Sequence, residues 1–305
     1  MKIYILAPNE NWICDRLNRE WAEHQGHTLA NDYRDADILW LLGSWCWNQL
    51  PIEVLENKKV ITTVHHIVPE KFSREKQYDF YLRDQITDAY HVPSLKTKNQ
   101  ISQITEKQIF CYPFWVNQSL WFDIEEKQSI RKKYGLKKDD FVIGSFQRDT
   151  EGHDLLSPKL EKGPDLFCDM VENLFKDNKK IKILLAGWRR QYVINRLKKA
   201  KIPHIYYELP DFATLNELYN CLDLYLVTSR YEGGPQSILE CAASKTPIVS
   251  TDVGVASEIL SNSSIFQEKK SASPNTQEAY NNVEKLLIPN GFENFIKMFE
   301  LIYEK

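Results

Sequence analysis

The chain has 305 residues, of which 43% are apolar and 27% charged, with a formal net charge of −3. That length suits two domains of ordinary size, and the composition is that of a soluble globular protein. It excludes a general nucleic-acid binder, which needs a marked excess of Lys and Arg, and no stretch approaches the ~20 apolar residues of a membrane-spanning helix.

Along the first half, short apolar runs alternate with helical stretches. Strands are predicted over 3–7, 38–42, 59–64, 89–92 and 108–112, and helices over 12–24, 49–57, 74–85 and 95–103. This alternation implies a compact Rossmann-like domain around a parallel sheet. The run at 3–7 is too short for the apolar core of a signal peptide. Segment 113–140 breaks the rhythm. It is aromatic and irregular around Phe114-Trp115 and Trp121-Phe122, then carries a charged helical run over 125–134 and a polar turn over 137–140. The same grammar restarts beyond it, with strands over 141–145, 181–186, 204–207, 224–227 and 247–250. Helices are expected over 164–175, 192–200, 215–221 and 236–244. In the first of these, Leu166, Met170, Leu174 and Phe167, Val171, Phe175 form stripes spaced four apart. Segment 261–282 is polar and reads as an outer rim. A last helix over 292–303 lines up Phe292, Phe295, Phe299 and Ile302. The expected division is 1–118, 119–290 and a closing helical segment, 291–305. Cys14, Cys46, Cys111, Cys168, Cys221 and Cys241 are scattered without a C-x-x-C pair, which reads as reduced cysteines of a cytoplasmic protein.

The stretch 225–260 concentrates the chemistry. An apolar strand leads into a loop over 229–234 that ends in Gly233 and Gly234. Pro235 sits where a first helical residue would, and Gln236 follows it. Glu232 in the loop and Glu240 on the helix have seven residues between them. Glycines admit close backbone approach, and a helix start with its free N–H groups suits phosphate. Carboxylates suit paired sugar hydroxyls. The unit therefore reads as the seat of a polyhydroxylated, phosphorylated ligand.

The string SRYEGGPQSILE resembles the E-x7-E signature of retaining glycosyltransferases of GT-B architecture, most closely glycosyltransferase family 4. The likeness extends over Thr251-Asp252-Val253-Gly254 and Glu258. It implies an α/β fold of two Rossmann-like domains facing a cleft, with the last helix packing back on the first domain. It also implies that a sugar moves, with retention, from a nucleotide-sugar donor to a hydroxyl of a glycan or lipid-linked saccharide. No metal and no cofactor beyond the donor are implied. Arg148 and Lys162 match the family's basic residue after the first strand of the second domain and its lysine before the next helix. They would hold the donor diphosphate, and fixed cations there act most strongly as charge builds in the transition state. The diphosphate would itself help deprotonate the acceptor on the same face. Glu240 would accept from the ribose hydroxyls. Glu232 would face the donor sugar, with Gly144, Gly233, Gly234, Pro235, Gln236 and Glu258 nearby. In the first domain, His65 best fits the family's strand-end histidine, with His66 beside it. Neighbours on a strand point to opposite faces, so one of the two would enter the cleft. His91 ends a similar strand.

Several features depart from the pattern or carry a plainer reading. The turn after the first strand, Pro8-Asn9-Glu10-Asn11, lacks the glycines of many relatives, so roles of that loop are not carried over. Segment 149–160 is longer than the family leads one to expect. Asp35-Ala36-Asp37 spells a D-x-D metal motif but precedes its strand, at the wrong end of a sheet. Asp149, Glu151, His153 and Asp154 lack a defined ligand spacing and read as a solvated loop. The basic cluster Arg189, Arg190, Arg196, Lys198, Lys199 and Lys201 reads as a solvated helix face, with a peripheral contact to anionic lipid as its functional alternative. Trp12, Trp21, Trp40, Trp45 and Trp47 crowd the first domain and are mostly expected in its core, with sugar stacking as the alternative for some. A non-catalytic relative that binds carbohydrate or nucleotide is the rival reading. A dehydrogenase or epimerase is excluded by the absence of G-x-G-x-x-G after the first strand.

Overall fold

A computed structural model describes residues 1–10, 13–266 and 272–305. Trp12 and Asn11, and residues 267–271 of the expected rim, lie outside the described residues. The chain divides into two compact units, Met1–Trp115 with Ile288–Lys305, and Val116–Leu287.

In the first unit, strands β1 (Ile3–Leu6), β2 (Ile38–Leu41), β3 (Lys59–Thr63), β4 (Ala89–Val92) and β5 (Gln108–Cys111) form one parallel sheet, all five where the sequence predicts them. Their order is β1-β2-β3-β4-β5, the order of the chain. The helices are α1 (Ile13–Gln25), α2 (Ile52–Glu56), α3 (Arg74–Ile86) and α4 (Leu95–Ile101). The helix expected over 49–57 is shorter, because a 3-10 turn occupies Ser44–Gln49 and Pro51 precedes α2. Both sheet faces are covered, so β2 is buried at every position. Leu39, Leu41 and Val60 pack with Leu50, Leu55 and Ile86 on one face.

The second unit holds α5 (Lys127–Lys133), β6 (Phe141–Ser145), α6 (Pro164–Asp177), β7 (Ile181–Ala186), α7 (Gln191–Lys199) and β8 (His204–Tyr207). It continues with α8 (Phe212–Asn220), β9 (Leu224–Val227), α9 (Gln236–Ala243), β10 (Ile248–Ser250), α10 (Ala256–Ile259) and α11 (Thr276–Glu284). Its parallel sheet has the order β10-β9-β6-β7-β8. Alternate residues serve opposite cores. Val142, Leu184, Tyr225 and Val227 face α8, α9 and α11. Ile143, Ile183, Leu185 and Leu226 face α6 and α7. On α6 the stripe of Phe167 and Val171 is buried, whereas Leu174 is exposed, so one of the two predicted stripes reaches the core. The outer rim expected over 261–282 is corrected in part. It contains α11, whose Ala279 and Val283 are buried in the core shared with α9.

The last helix, α12 (Glu293–Tyr303), belongs to the first unit. Phe295, Phe299 and Ile302, with Phe292 just ahead, recur at three- and four-residue spacing and all lie in one core with α1 and β2. Phe299 meets Trp21 and Trp40 with ring centroids 5.5 and 5.2 Å apart, and Phe295 meets Trp115 at 5.0 Å. Each indole N–H has a partner. Trp40 donates to Thr63 Oγ1 at 2.9 Å, Trp115 to Glu20 Oε2 at 2.8 Å and Trp21 to Thr28 Oγ1 at 3.2 Å. Trp21 and Trp40 are thus core residues, whereas Trp45 is 52% exposed. None of the six cysteines is in a disulfide, and five of them are buried. Among the described residues no helix is long and apolar enough to cross a membrane.

Phe295 touches His91, Tyr112, Phe114, Trp40 and Trp115. Phe295→Ala should therefore cost about 3–5 kcal/mol through the cavity it leaves. Urea unfolding followed by tryptophan fluorescence checks this, with an unchanged midpoint as the contrary result.

Candidate functional site

In the second unit the chain leaves β6 toward β7 and β8, then returns on the other side of β6 as β9 and β10. Loops after β6 and β9 therefore part in opposite directions, which opens a crevice at the carboxyl ends of those strands. Three segments meet there. Thr228 Oγ1 donates to Gly163 O at 2.8 Å, and the amides of Arg230 and Tyr231 donate to Glu161 O at 2.8 and 3.2 Å. Gln147 Nε2 donates to Lys162 O at 2.9 Å. Gly163 has φ +60, and a Cβ on it would stand 1.8 Å from Thr228 O, so both conformation and contact require glycine. The next loop supports the glycine pair from behind. A Cβ on Gly254, at φ +52, would lie 2.2 Å from Gly233 O, and Thr251 Oγ1 donates to Ser229 O at 2.6 Å.

This packing brings Lys162 and Glu232 together. Lys162 Nζ is 2.5 Å from Glu232 Oε1, with side-chain exposures of 21% and 9%. Ser229 Oγ is 3.1 Å from the same carboxylate oxygen and 3.2 Å from Gln147 Oε1. Sequence reasoning passed over Gln147 and Ser229. Their signal was position, since each directly follows or flanks a strand end at the crevice. Pro235 is the residue before α9, extended at φ −60 and ψ 112, and Gln236 is the first helical one. Glu240 lies on α9, 6% exposed, and accepts from Tyr219 Oη at 2.8 Å. Burial, with the charge of Glu240, raises the Tyr219 phenol well above its usual range and keeps it a donor.

Other expected residues stand apart from this group. Arg148 Nε donates to Thr150 O at 2.8 Å, and its guanidinium lies 5.2 Å from the centre of the Trp188 ring. No hydrogen bond or ion pair among the described residues joins it to Lys162 or Glu232. Burial first, then Arg189, lowers its proton affinity, but an arginine stays charged. Gly144 lies buried inside β6, where a Cβ would come 2.3 Å from Leu222 Cδ1, so the glycine makes room for a leucine. Glu258 sits partly exposed on the four-residue α10.

Two expectations about charge are overturned. Asp149 and Arg190 were read as solvated. They form a pair 2.8 Å apart, with side chains 2% and 1% exposed. The guanidinium also donates to Ala186 O at 2.9 Å and to Ser145 O, tying together the ends of β7 and β6. Arg196 is paired as well, with Asp169 and Glu172 at 2.9 and 2.7 Å. The cluster is therefore not a bare basic face. Its acids come from other segments. Asp35 and Asp37 precede β2 as read from the sequence, and Asp37 Oδ2 accepts from Lys2 N at 2.7 Å. No group of three or more side chains suited to a metal occurs among the described residues.

In the first unit His65 follows β3, partly buried, with Nε2 2.9 Å from Leu42 O. A carbonyl only accepts, so Nε2 carries the proton. The ring stacks on Phe114 at 5.7 Å and lies 5.9 Å from Trp45. His66 is partly buried beside it. His91 is fully buried between Thr63 Oγ1 and Tyr112 O, the packing histidine of the pair of strand ends.

Residues 155–287 match the family model described as Glycosyl transferases group 1. That match lies within the second unit. A curated relative, the lipopolysaccharide core biosynthesis mannosyltransferase LpsB of Rhizobium meliloti (strain 1021), is 26% identical over 146 residues, which are 46% of this chain. The match spans 39% of that protein. Among solved structures, Anabaena Alr3699/HepE in complex with UDP superposes with a TM-score of 0.74 at 12% identity, covering 99% of this chain and 100% of that one. Sucrose-phosphate synthase (tll1590) from Thermosynechococcus elongatus gives 0.67 at 14% identity, over 98% and 80%. The fold is the α/β fold of GT-B glycosyltransferases, built on two parallel five-stranded sheets.

Removing one member of the Asp149–Arg190 pair strands a buried charge. Asp149→Ala should cost about 3–5 kcal/mol, whereas the double change Asp149→Leu with Arg190→Met should cost less. Thermal melts of both variants separate the cases, and an Asp149→Ala melt equal to wild type would contradict the reading. A second expectation concerns acid. Burial pulls His65 down to about 4 and His91 to about 3. The unfolded chain, with histidines near ~6.5, then binds more protons than the folded one below that pH. Stability of the first unit should fall as pH drops from ~6.5 through the folded values. Urea midpoints between pH 7 and pH 4.5 would show this, with a flatter slope for His91→Asn.

Proposed function

We propose that the crevice of the second unit binds a nucleotide-sugar donor and that the protein transfers the sugar, with retention, to a hydroxyl acceptor. The observation that carries the proposal is the Lys162–Glu232 pair, held at the strand-order reversal beside Gly163 and the Gly233-Gly234 loop. An ammonium has three protons, so Lys162 can keep Glu232 and still meet a diphosphate oxygen. As the bond to the leaving diphosphate breaks, negative charge grows on that oxygen, and a fixed cation stabilises the transition state more than the ground state. Glu232 faces the sugar from the loop, and Glu240 offers an acceptor to the ribose from α9. The leaving diphosphate takes the acceptor proton on the face it vacates, so no metal and no covalent enzyme intermediate is required. Because Arg148 is turned toward Trp188, the diphosphate role rests on Lys162.

Two likenesses support the donor class. The family match spans Lys162, Glu232 and Glu240, and HepE, of the same fold, was solved with UDP. The LpsB relative is a lipopolysaccharide core mannosyltransferase, which supports a surface glycan or lipid-linked saccharide as acceptor here. A non-catalytic, ligand-binding role is the second reading. It is favoured by the turn after β1, where the Asn9 and Glu10 amides are taken by Asp15 at 2.9 and 2.7 Å and offer nothing to an acceptor.

Calorimetric titration with UDP and GDP in the presence of EDTA tests the donor site. One nucleotide should bind the wild type, and Lys162→Ala should weaken it at least about tenfold, as for a lost charge-assisted contact. Equal binding by the variant, or binding that appears only with added metal, would count against this mechanism. Release of nucleotide from a sugar donor separates the enzyme from the binding protein.

A further inference from the structure

Between the Lys162 turn and the Glu232 loop sits a side chain that the donor reading leaves unused. Gln147 lies just beyond β6, partly buried. Its Nε2 donates to Lys162 O at 2.9 Å, and its Oε1 accepts from Ser229 Oγ at 3.2 Å. Ser229 Oγ is also 3.1 Å from Glu232 Oε1. Ser229 is fully buried, and its carbonyl is held by Thr251 Oγ1, so it has no room to turn away. One neutral amide thus spans the two segments that carry the ion pair. We propose that Gln147 is a positioning residue for the transfer step, which sets Glu232 against Lys162 through Ser229. The proposal rests on the nucleotide-sugar reading of the crevice.

Hydrogen-bond polarity carries the argument. The carbonyl at position 162 only accepts, so the amide must turn its NH2 toward it and its oxygen toward Ser229. Ser229 has one hydroxyl proton for two acceptors, Gln147 Oε1 and Glu232 Oε1. When the proton serves Gln147, that oxygen of Glu232 is left with the ammonium alone. When it serves Glu232, the carboxylate gains a second donor and presents less charge to the sugar. Gln147 therefore governs the charge that Glu232 shows the reacting centre without touching the ligand itself. Glutamate at 147 would have nearly the same shape, yet no proton for the 162 carbonyl. It would also bring a second negative charge to Ser229 and compete for Lys162. Asparagine, one methylene shorter, would lose one end of the span.

Nucleotide release from UDP-glucose and GDP-mannose, with water as acceptor, gives turnover without a known glycan. Calorimetry gives UDP and GDP affinity, and thermal melts give stability. For Gln147→Glu we expect kcat to fall about thirtyfold or more, while nucleotide Kd changes less than about threefold and the melt stays near wild type. Gln147→Ala guards against a Glu variant that fails to fold and should show the same split, more mildly. Ser229→Ala combined with Gln147→Glu should lose less than the product of the single effects, since both act on one carboxylate. Turnover of both Gln147 variants within about twofold of wild type would overturn the proposal. So would a joint fall of turnover, affinity and melting temperature, which marks a residue that merely holds the fold. A wild type that neither binds nor releases any nucleotide overturns the donor reading itself, and this assignment with it.

Discussion

One close approach governs the site. At Gly163 the chain passes so near the end of β9 that a Cβ would stand 1.8 Å from Thr228 O. No side chain fits, and the left-handed backbone there disfavours one in any case. That contact lets the turn ahead of α6 lie against the loop after β9, where the Glu161 carbonyl takes two amides of the loop. Lys162 and Glu232 are 70 residues apart in sequence and meet because of it. The reversal of strand order between β6 and β9 supplies the space, and the glycine supplies the closeness.

Two ion pairs in this unit illustrate opposite uses of charge. Arg190 and Asp149 are sealed from water, and their remaining donors and acceptors go to strand-end carbonyls and to the Tyr192 amide. Such a pair holds loops in place and has nothing left over for a ligand. Lys162 and Glu232 keep contact with solvent, and the ammonium has protons to spare. The first pair anchors the segment that begins at Ser145 and carries Gln147. The second stands at the crevice that this segment borders.

All ten strands were legible because each is a short apolar run between polar or glycine-bearing turns, the pattern of a sheet buried on both faces. The placement of Glu232 in a loop, of Glu240 on a helix and of Lys162 just before α6 was legible because strand, loop and helix start follow from the local pattern. What failed was of another kind. The partner of Arg190 lies 41 residues upstream, so its burial has no local sign. Gly144 is expected near the donor sugar, yet its missing Cβ makes room for Leu222, again distant in sequence. Helix α11 was hidden because only Ala279 and Val283 among its nine residues are buried, too few to make a visible stripe. The strand order of either sheet is likewise a matter of pairing and leaves no mark in a single strand.

The missing glycine turn after β1 finds its physical reason in Asp15. Asn9 takes the left-handed backbone, at φ +55, that glycine would otherwise supply, and asparagine is among the residues best able to do so. Asp15 then accepts the amides of Asn9 and Glu10. A glycine-rich turn leaves such amides pointing outward for an anion or a hydroxyl. Here the protein's own carboxylate occupies them. The first sheet, with its strands in simple chain order, also lacks the reversal that opens a crevice in the second. The two units share a layered plan, yet among the described residues strand reversal, glycine contact and a solvent-facing ion pair coincide in the second alone. In the first unit the half-exposed Trp45 lies beside the neutral His65, and the turn after β1 presents no nest of free backbone amides.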